Sequence, residues 1–554
     1  MRTIATLIVC LFFNVSFAET KLGINIQGAC DWCCDYTFVD TMKQARGFAN
    51  LTNPANPLTN PAPVDSKGWP MQDFGVFFAS FGTDPLNRPL SQTNPSFFGT
   101  YTLSFNGQAT LGSQGCNKFT NKIYNSITNT TTAQLNVDTT CVQIDVEFTG
   151  TKRTATSATN TGLTNIQLLR PGYALGTTQV FTTQFLTALQ SFSTIRFMAM
   201  LDTNGSVVSS WSERTPQYMP SQKLNTVNGV GSKAILSGVS WEYIIQLANQ
   251  TNKDIWINIP EGVDLTDPTS SNYVTQLATL LKNNLNSNIH VYVEYSNELW
   301  NTRFTQAAAN YSSASSEVNS GADKTLNYDS INDPMYWAMR RIAHQTLRIS
   351  QLFAGVYGPS AINTTIRPVY ANSYQSPFYA EDGLEYLYKV FGTPKNYLYA
   401  IASAPYFGIT SSYTDVNSFF TSILGGANNV VPGFSGTPAY SGVYPLYTGI
   451  TYQSLANYAQ LKNISYEGGP DVSALTNQAI PELANNDQRM GNLVKNYLAD
   501  AFDCGNDLFM FFELQGSTTD PLAVYHDFAV PTQKSNALLS FDRQKNTCKQ
   551  AINF

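Results

Sequence analysis

From Phe181 to its end the chain repeats one rhythm that few folds accommodate: an apolar stretch at helical spacing, then a short run of β-formers. FTTQFLTALQSF (181–192) leads into TIRFMAML (194–201), WEYIIQLANQ (241–250) into DIWINIP (254–260), and YVTQLATLLKNNL (273–285) into IHVYVEYSNE (289–298). A helical stretch around Tyr336–Phe353 leads into TIRPVYANS (365–373), and GLEYLYKVF (383–391) into YLYAIASAPYF (397–407). YQSLANYAQL (452–461) leads into NISYEGG (463–469), and LVKNYLADAF (493–502) into DLFMFFELQG (507–516). With KLGINI (21–26) near the start, eight strands alternate with helices, and QKSNALLSF (533–541) is the closing helix. This pattern predicts an α/β fold, a (β/α)8 barrel of the TIM type, whose strand carboxyl ends converge on one face where active sites are built.

A plain barrel needs roughly 250 residues, and this chain has 554. The surplus has a different texture. Residues 50–100 are rich in Asn, Pro and Gly, and residues 100–170 alternate apolar with polar in short runs such as TYTLSFNG and CVQIDVEFTG. Short alternating runs divided by turn residues predict an antiparallel β-sandwich. The expected organisation is therefore a signal peptide at 1–18, the first barrel strand and helix at 19–48, a sandwich-like insertion at 49–170, and the rest of the barrel at 171–554. Asp145 and Glu147 fall on the polar side of one alternating run, which reads as a solvated face rather than a metal pair.

Arg2, the apolar run Ile4–Phe13, and Ser16 and Ala18 before Glu19 form a secretory signal with its cleavage site. No later segment approaches the ~20 apolar residues of a membrane span. Seven sequons follow, at Asn50, Asn129, Asn204, Asn249, Asn310, Asn363 and Asn463, in keeping with a secreted glycoprotein. Seven cysteines remain after Cys10 leaves with the signal, and in an oxidising compartment most should pair. Cys116 with Cys141 and Cys504 with Cys548 are expected local bridges. The cluster Cys30, Cys33 and Cys34 then leaves one thiol free or joined to a partner chain. Zinc is the competing reading of that cluster, but no second ligand pair stands at suitable spacing. Neither metal nor cofactor is expected. Charged residues make up 13% and the net charge is −6, which argues against nucleic acid and anionic membranes. Aromatics at 13% suit the apolar faces of neutral sugars as well as a large core.

The chemistry is concentrated at two strand ends. The fourth strand closes on Ser296-Asn297-Glu298, and the seventh on Glu467 before Gly468-Gly469. In a barrel these ends face each other across the mouth. Two carboxyl groups so placed are what glycoside hydrolysis requires, about 5–5.5 Å apart for retention and about 6.5–9.5 Å for inversion. The Glu298 acid must begin protonated, which burial and a like charge favour. The Glu467 nucleophile must stay ionised, and Arg196 on the second strand and Tyr406 at the end of the sixth can supply a cation and a hydrogen bond. Arg196 is equally readable as a buried partner of Glu294, which shares strand parity with Glu298. Trp300, Trp211 and Trp241 are candidate sugar platforms. Glu261, after the third strand, has no assignable role.

These residues resemble clan A glycoside hydrolases. The particular strings YVEYSNELWN (292–301) and YEGG (466–469), with GINI, FVD (38–40), IRFM and Trp211-Ser-Glu-Arg214, are similar to those of poorly characterised secreted glycosidase-like proteins. The resemblance implies a retaining enzyme on a TIM barrel, with Glu298 as acid/base and Glu467 as nucleophile. It also implies that Asn297 holds the sugar 2-hydroxyl and contacts Glu467, on a β-linked, glucan-type polysaccharide. Two departures stand out: Leu299 follows Glu298 where many clan members have Pro, and Phe511, Phe512 and Glu513 stand where the clan often ends its eighth strand with Trp.

The rival expectation is a non-catalytic glycan-binding or extracellular matrix protein that keeps the barrel as a scaffold. A serine or metal hydrolase is disfavoured, because His290, His344 and His526 lie in no G-x-S-x-G or H-E-x-x-H context. The long loops 302–335 and 408–450 are expected to shape the cleft.

Overall fold

Barrel strands are buried on both faces, so they read as near-continuous apolar runs ending in polar residues. The eight such runs in this chain close into one barrel. The computed structural model describes residues 21–31, 36–53, 56, 59–113, 116, 118–223, 238–434, 451–472, 478–517, 519–542, 546–549 and 551–554. The barrel strands are Leu22–Asn25, Thr194–Arg196, Asp254–Ile259, Val291–Tyr295, Ile366–Ala371, Ala400–Ser403, Lys462–Ser465 and Leu508–Phe511. They are called the first to eighth strands below. Each pairs in parallel with the next, and the eighth returns to the first through Gly23↔Met510 and Ile24↔Phe511. All eight sequence-predicted strands are present, and the fold is the expected TIM barrel with added antiparallel sheets.

Alternation along each strand sorts the side chains. Ile24, Ile195, Ile255, Ile257, Val291 and Val293 join the core beneath the surrounding helices. Trp256, Tyr292, Val369, Ala400, Ala402, Ile464, Leu508 and Met510 fill the barrel interior as a separate cluster. Gly23 makes room there for the Met510 thioether, which would have to shift to admit a Cβ at that position. Above this plug, the same inward parity presents Asn25, Arg196, Asn258 and Glu294, all buried. These four polar side chains stand at the mouth end of the barrel, while Arg367 pairs with Asp254 and the Tyr292 hydroxyl at the other end.

The helices begin on identifiable caps. Asn272 accepts from two backbone amides of Tyr273–Asn284, and Asp333 caps Pro334–Tyr357, where Pro at the first turn sacrifices no hydrogen bond. Each of the two long connecting stretches carries a helix among its described residues. Thr305–Ser320 and Val416–Val430 are both α-helices, and residues 435–450 lie outside the described residues.

Between the first and second barrel strands lie two four-stranded antiparallel sheets. One orders Phe48–Ala49, Phe74–Ser80, Gln143–Lys152 and Gln108–Gly112. The other orders Lys118–Asn125, Thr130–Val137, Gly99–Asn106 and Thr164–Leu169. Phe74, Phe78, Val146 and Phe148 of the first meet Leu103, Phe105, Leu135 and Leu168 of the second in a core of their own. Asp145 is 5% exposed, so the expected solvated face holds for Glu147 only in part and for Asp145 not at all.

Disulfides join Cys116 to Cys141 and Cys504 to Cys548, as expected. Cys30 is disulfide-bonded too, while Cys33, Cys34 and the signal segment 1–18 lie outside the described residues. Among the described residues no helix is long and apolar enough to cross a membrane, and no group of three or more His, Cys, Asp or Glu could hold a metal ion. Two sequons are not accessible in the folded chain: Asn310 is fully buried and donates to the Ala338 carbonyl, and Asn463 is buried against Gln453.

Candidate active site

The site is organised around one guanidinium. Arg196, ending the second strand, is completely buried. Its Nη1 donates to Glu467 Oε1 at 2.6 Å and to Asn25 Oδ1 at 3.0 Å, and its Nη2 to Glu294 Oε2 at 2.9 Å and Asn297 Oδ1 at 2.8 Å. Trp256 and Tyr466 rings flank it at 5.6 and 5.2 Å. The planar fork of arginine suits this task, since two carboxylates and two amides must be reached from one centre. Of the two expectations for Arg196, pairing with Glu294 and contact with Glu467, both hold at once. Being buried, it reaches a ligand only through those partners.

Glu294 is held from three sides, its Oε2 also accepting from Trp256 Nε1 at 2.8 Å and Asn258 Nδ2 at 2.9 Å. Asn25 fixes the other flank, donating to the Tyr466 and Phe511 carbonyls.

Just past the fourth strand, strict alternation lapses. Ser296 and Glu298 both take left-handed backbone conformations, φ 53° and 44°, which cost roughly 1–2 kcal/mol each for non-glycine residues. As a result the neighbours Asn297 and Glu298 both join the site, where an extended strand would send them to opposite faces. Glu298 Oε1 accepts from the Tyr466 hydroxyl at 3.0 Å and Oε2 from Asn301 Nδ2 at 2.8 Å. Asn297 does not hydrogen-bond Glu467 as expected. Its carbonyl oxygen takes Arg196, its amide donates to Asn204 Oδ1 at 3.0 Å, and Gln306 ties both to the start of Thr305–Ser320. Arg196 intervenes because a cation is the stronger partner for both oxygens.

At the opposite wall, Glu467 follows the seventh strand and is 5% exposed. Gly469 allows the turn that follows it, with φ 126° and the Phe511 ring 2.9 Å from where a Cβ would stand. Tyr406 does not end the sixth strand. Pro405, which lacks an amide hydrogen, precedes a separate two-residue pairing, Tyr406↔Gly469 and Phe407↔Pro470. That pairing brings the Tyr406 hydroxyl to Glu467 Oε2 at 3.1 Å.

Burial pushes both carboxyl groups above their ordinary range. Glu467 rises to about 7, pulled down by Arg196 and pushed up by Glu298, and Glu298 is raised by burial while the neutral Asn301 and Tyr466 donate to it. Although burial opposes it, the Glu294 and Glu467 carboxylates hold the Arg196 guanidinium above its usual value. The nearby Glu298 adds to the rise of Glu467, while the Arg196 ion pair favours the charged form of Glu467. An ionised carboxylate beside a protonated one can attack an electrophilic carbon while its neighbour delivers a proton.

Trp300 lies at this site, its indole donating to the Tyr466 hydroxyl at 3.3 Å. Trp211 and Trp241 do not. Trp211 packs edge-on against Tyr273 beneath Arg214, and Trp241 is buried with its indole donating to Tyr273. Phe511 is buried under Gly469, whereas Phe512 is half-exposed with its ring 6.1 Å from Tyr406. Glu513 is buried and accepts from Gln27 at 3.1 Å; burial and the nearby Asp520 raise its carboxyl far above the usual range. Glu261 is an ion-pair partner of Arg341. The three histidines each face a carboxylate: His290 with Asp254, His344 with Asp323 and His526 with Glu482.

Sequence reasoning passes over Tyr466, Asn25, Asn258 and Asn301. Asn25 and Asn258 carry the same signal as Arg196, a polar residue at inward parity in an apolar strand. Tyr466 and Asn301 stand within the strings YEGG and YVEYSNELWN themselves, where a tyrosine and an asparagine look like packing.

No protein-family model matches the chain, and no curated protein matches its sequence. Among solved structures, a xyloglucanase of glycoside hydrolase family 44 from Paenibacillus polymyxa is similar at 10% identity, covering 65% of this chain and 74% of its own, with a TM-score of 0.35. A family 10 endoxylanase from a sugarcane soil metagenome is similar at 12% identity, covering 65% and 92%, with a TM-score of 0.31. An endo-1,4-β-xylanase from Caldicellulosiruptor owensensis is similar at 9% identity, covering 63% and 90%, with a TM-score of 0.30. TM-scores this low do not bear on what the chain does.

Proposed function

We propose that the chain is a secreted retaining glycoside hydrolase acting on β-linked glycosides. The observation that carries this reading is the asymmetry of the two mouth glutamates: Glu467 hydrogen-bonds Arg196 and Tyr406, while among the described residues Glu298 hydrogen-bonds the neutral Tyr466 and Asn301. In the first step a Glu467 carboxylate oxygen bonds to the anomeric carbon while the glycosidic C–O bond breaks. The leaving oxygen takes the proton of Glu298. In the second, Glu298 removes a proton from water, whose oxygen displaces Glu467 and restores both carboxyl groups.

Arg196 is a positioning residue in this scheme. It orients Glu467, holds its charge and, through Asn297, links the two strand ends. Tyr406 donates to the nucleophile and lies beside the reacting sugar. Asn297 keeps a second amide hydrogen for the sugar 2-hydroxyl, and Trp300 stacks on the leaving-group side. Phe512, beside Tyr406, takes the floor position often occupied by Trp. The antiparallel sheets, which we set at residues 49–170, form an accessory unit. Secretion follows from the amino-terminal signal and agrees with the disulfides.

Glu467→Gln is nearly isosteric and tests the assignment. It should abolish turnover of β-glycans while the fold and glycan binding survive. Undiminished turnover would refute the nucleophile and acid/base roles of Glu467 and Glu298, and a wild-type protein that binds glycans without cleaving any would favour the scaffold reading.

A further inference from the structure

Directly after Glu298 the chain lines a hollow of about 390 Å³ between Thr305–Ser320 and Pro334–Tyr357. Its walls include Leu299, Trp300, Ala308, Tyr311, Met335 and Met339, and none of its lining residues is charged. The hollow exists because Ala stands at 307, 308 and 338, where larger side chains would fill it. Its size lies at the small end of ligand pockets, roughly 300–1,000 Å³.

Two observations tie it to the proposed chemistry. Trp300 forms part of its wall, and the same indole donates to the Tyr466 hydroxyl, which donates to Glu298 Oε1. The wall is thus two hydrogen bonds from the group assigned to protonate the leaving oxygen. Second, the lining offers the hydroxyls of Thr302, Tyr311 and Ser312 and no amide or ionic side chain. A sugar buried there would leave hydroxyls without partners, at a cost of about 1–3 kcal/mol for each unsatisfied group. An aryl or alkyl group would not, and the flexible thioethers of Met335 and Met339 adapt to irregular apolar shapes.

We infer that this hollow is a leaving-group subsite for an apolar aglycone, aryl or branched alkyl, on a β-glycoside. The inference rests on the hydrolase reading and narrows its substrate class on the side that departs.

The test is a matched series of methyl, butyl and hexyl β-glucosides and β-xylosides, whose leaving alcohols have nearly equal acidity. Each fully buried methylene gives roughly a fourfold gain, so kcat/KM should rise at least about tenfold from methyl to hexyl even with partial enclosure. Ala308→Trp, on an exposed turn of its helix, and independently Ser312→Trp, should erase that rise while the melting temperature stays within a few degrees. A flat series, or a rise untouched by both variants, overturns the inference. So does faster turnover of β-glucan oligosaccharides than of hexyl glycosides, an outcome that leaves the hydrolase reading standing. If no glycoside is turned over, the hydrolase reading fails, and calorimetric titration with the hexyl and methyl compounds decides the pocket alone. Equal affinities overturn it; tighter hexyl binding that Ala308→Trp abolishes sustains it.

Discussion

Arg196→Lys is the substitution that best probes how the site is held together. It keeps the positive charge, yet one ammonium cannot span four acceptors that Nη1 and Nη2 reach in two directions. A lysine directed at Glu294 leaves Glu467 without its 2.6 Å partner, and the reverse leaves Glu294 held only by Trp256 and Asn258. Hydrogen bonds to charged groups contribute about 1.5–3 kcal/mol each, and removing one partner of a buried ion pair costs about 3–5 kcal/mol. With the charge retained but one acid stranded, the expected loss is about 3 kcal/mol in urea unfolding at pH 7. The pH dependence adds a second readout. A stranded Glu467 has a folded pKa raised further above its unfolded value, so the folded state holds the proton more tightly. The variant's deficit should therefore be smallest well below pH 7, where the folded carboxyl holds its proton in both proteins. It should grow as pH rises through neutrality. The acid limb of kcat/KM, which reports ionisation of the nucleophile, should move up by about one unit for each ~1.4 kcal/mol of lost charge stabilisation. A variant within about 0.5 kcal/mol of wild type (ordinary for surface changes), with an unmoved acid limb, would refute the claim that this guanidinium organises the mouth.

Further outcomes follow from the same geometry. Glu298→Gln removes the proton donor, so hydrolysis of alkyl glycosides should fall about 10²–10⁴-fold, while 2,4-dinitrophenyl glycosides, whose leaving group needs no proton, should lose far less. Tyr406→Phe deletes the hydroxyl that donates to Glu467 Oε2; a bond to a charged group of about 1.5–3 kcal/mol predicts a loss of that size in unfolding free energy, read from urea unfolding, together with a fall in kcat. The Cys504–Cys548 bridge closes a 44-residue loop, so replacing both cysteines with Ser should cost about 4 kcal/mol by the loop-entropy relation, read from guanidinium unfolding.

Much of this is legible in the amino-acid order, for identifiable reasons. A strand buried on both faces has little freedom in composition, so all eight runs stand out, and a buried Arg or Glu among Ile and Val marks the inward side at its mouth end. The places where sequence reasoning fails are places where local rules yield to the site. Alternation would separate Asn297 from Glu298, and the left-handed Ser296 and Glu298 override it. Tyr406 looks like the end of a strand that Pro405 has already interrupted. Thr305–Ser320 reads as loop because its buried stripe, Gln306, Ala307, Asn310 and Ala314, is small and polar rather than apolar. Trp211 and Trp241 show the limit of residue type as a guide, since nothing along the chain separates a packed indole from an accessible one.

The most direct measurement is covalent trapping. Incubating the protein with 2-deoxy-2-fluoro-β-glycosyl fluorides slows hydrolysis of the glycosyl-enzyme more than its formation, and peptide mass spectrometry then locates the sugar. One adduct is expected, on Glu467, absent in Glu467→Gln and still formed in Glu298→Gln. An adduct on Glu298 or Glu294 would contradict the assignment of Glu467 as nucleophile, and release of product with inverted anomeric configuration would contradict double displacement itself.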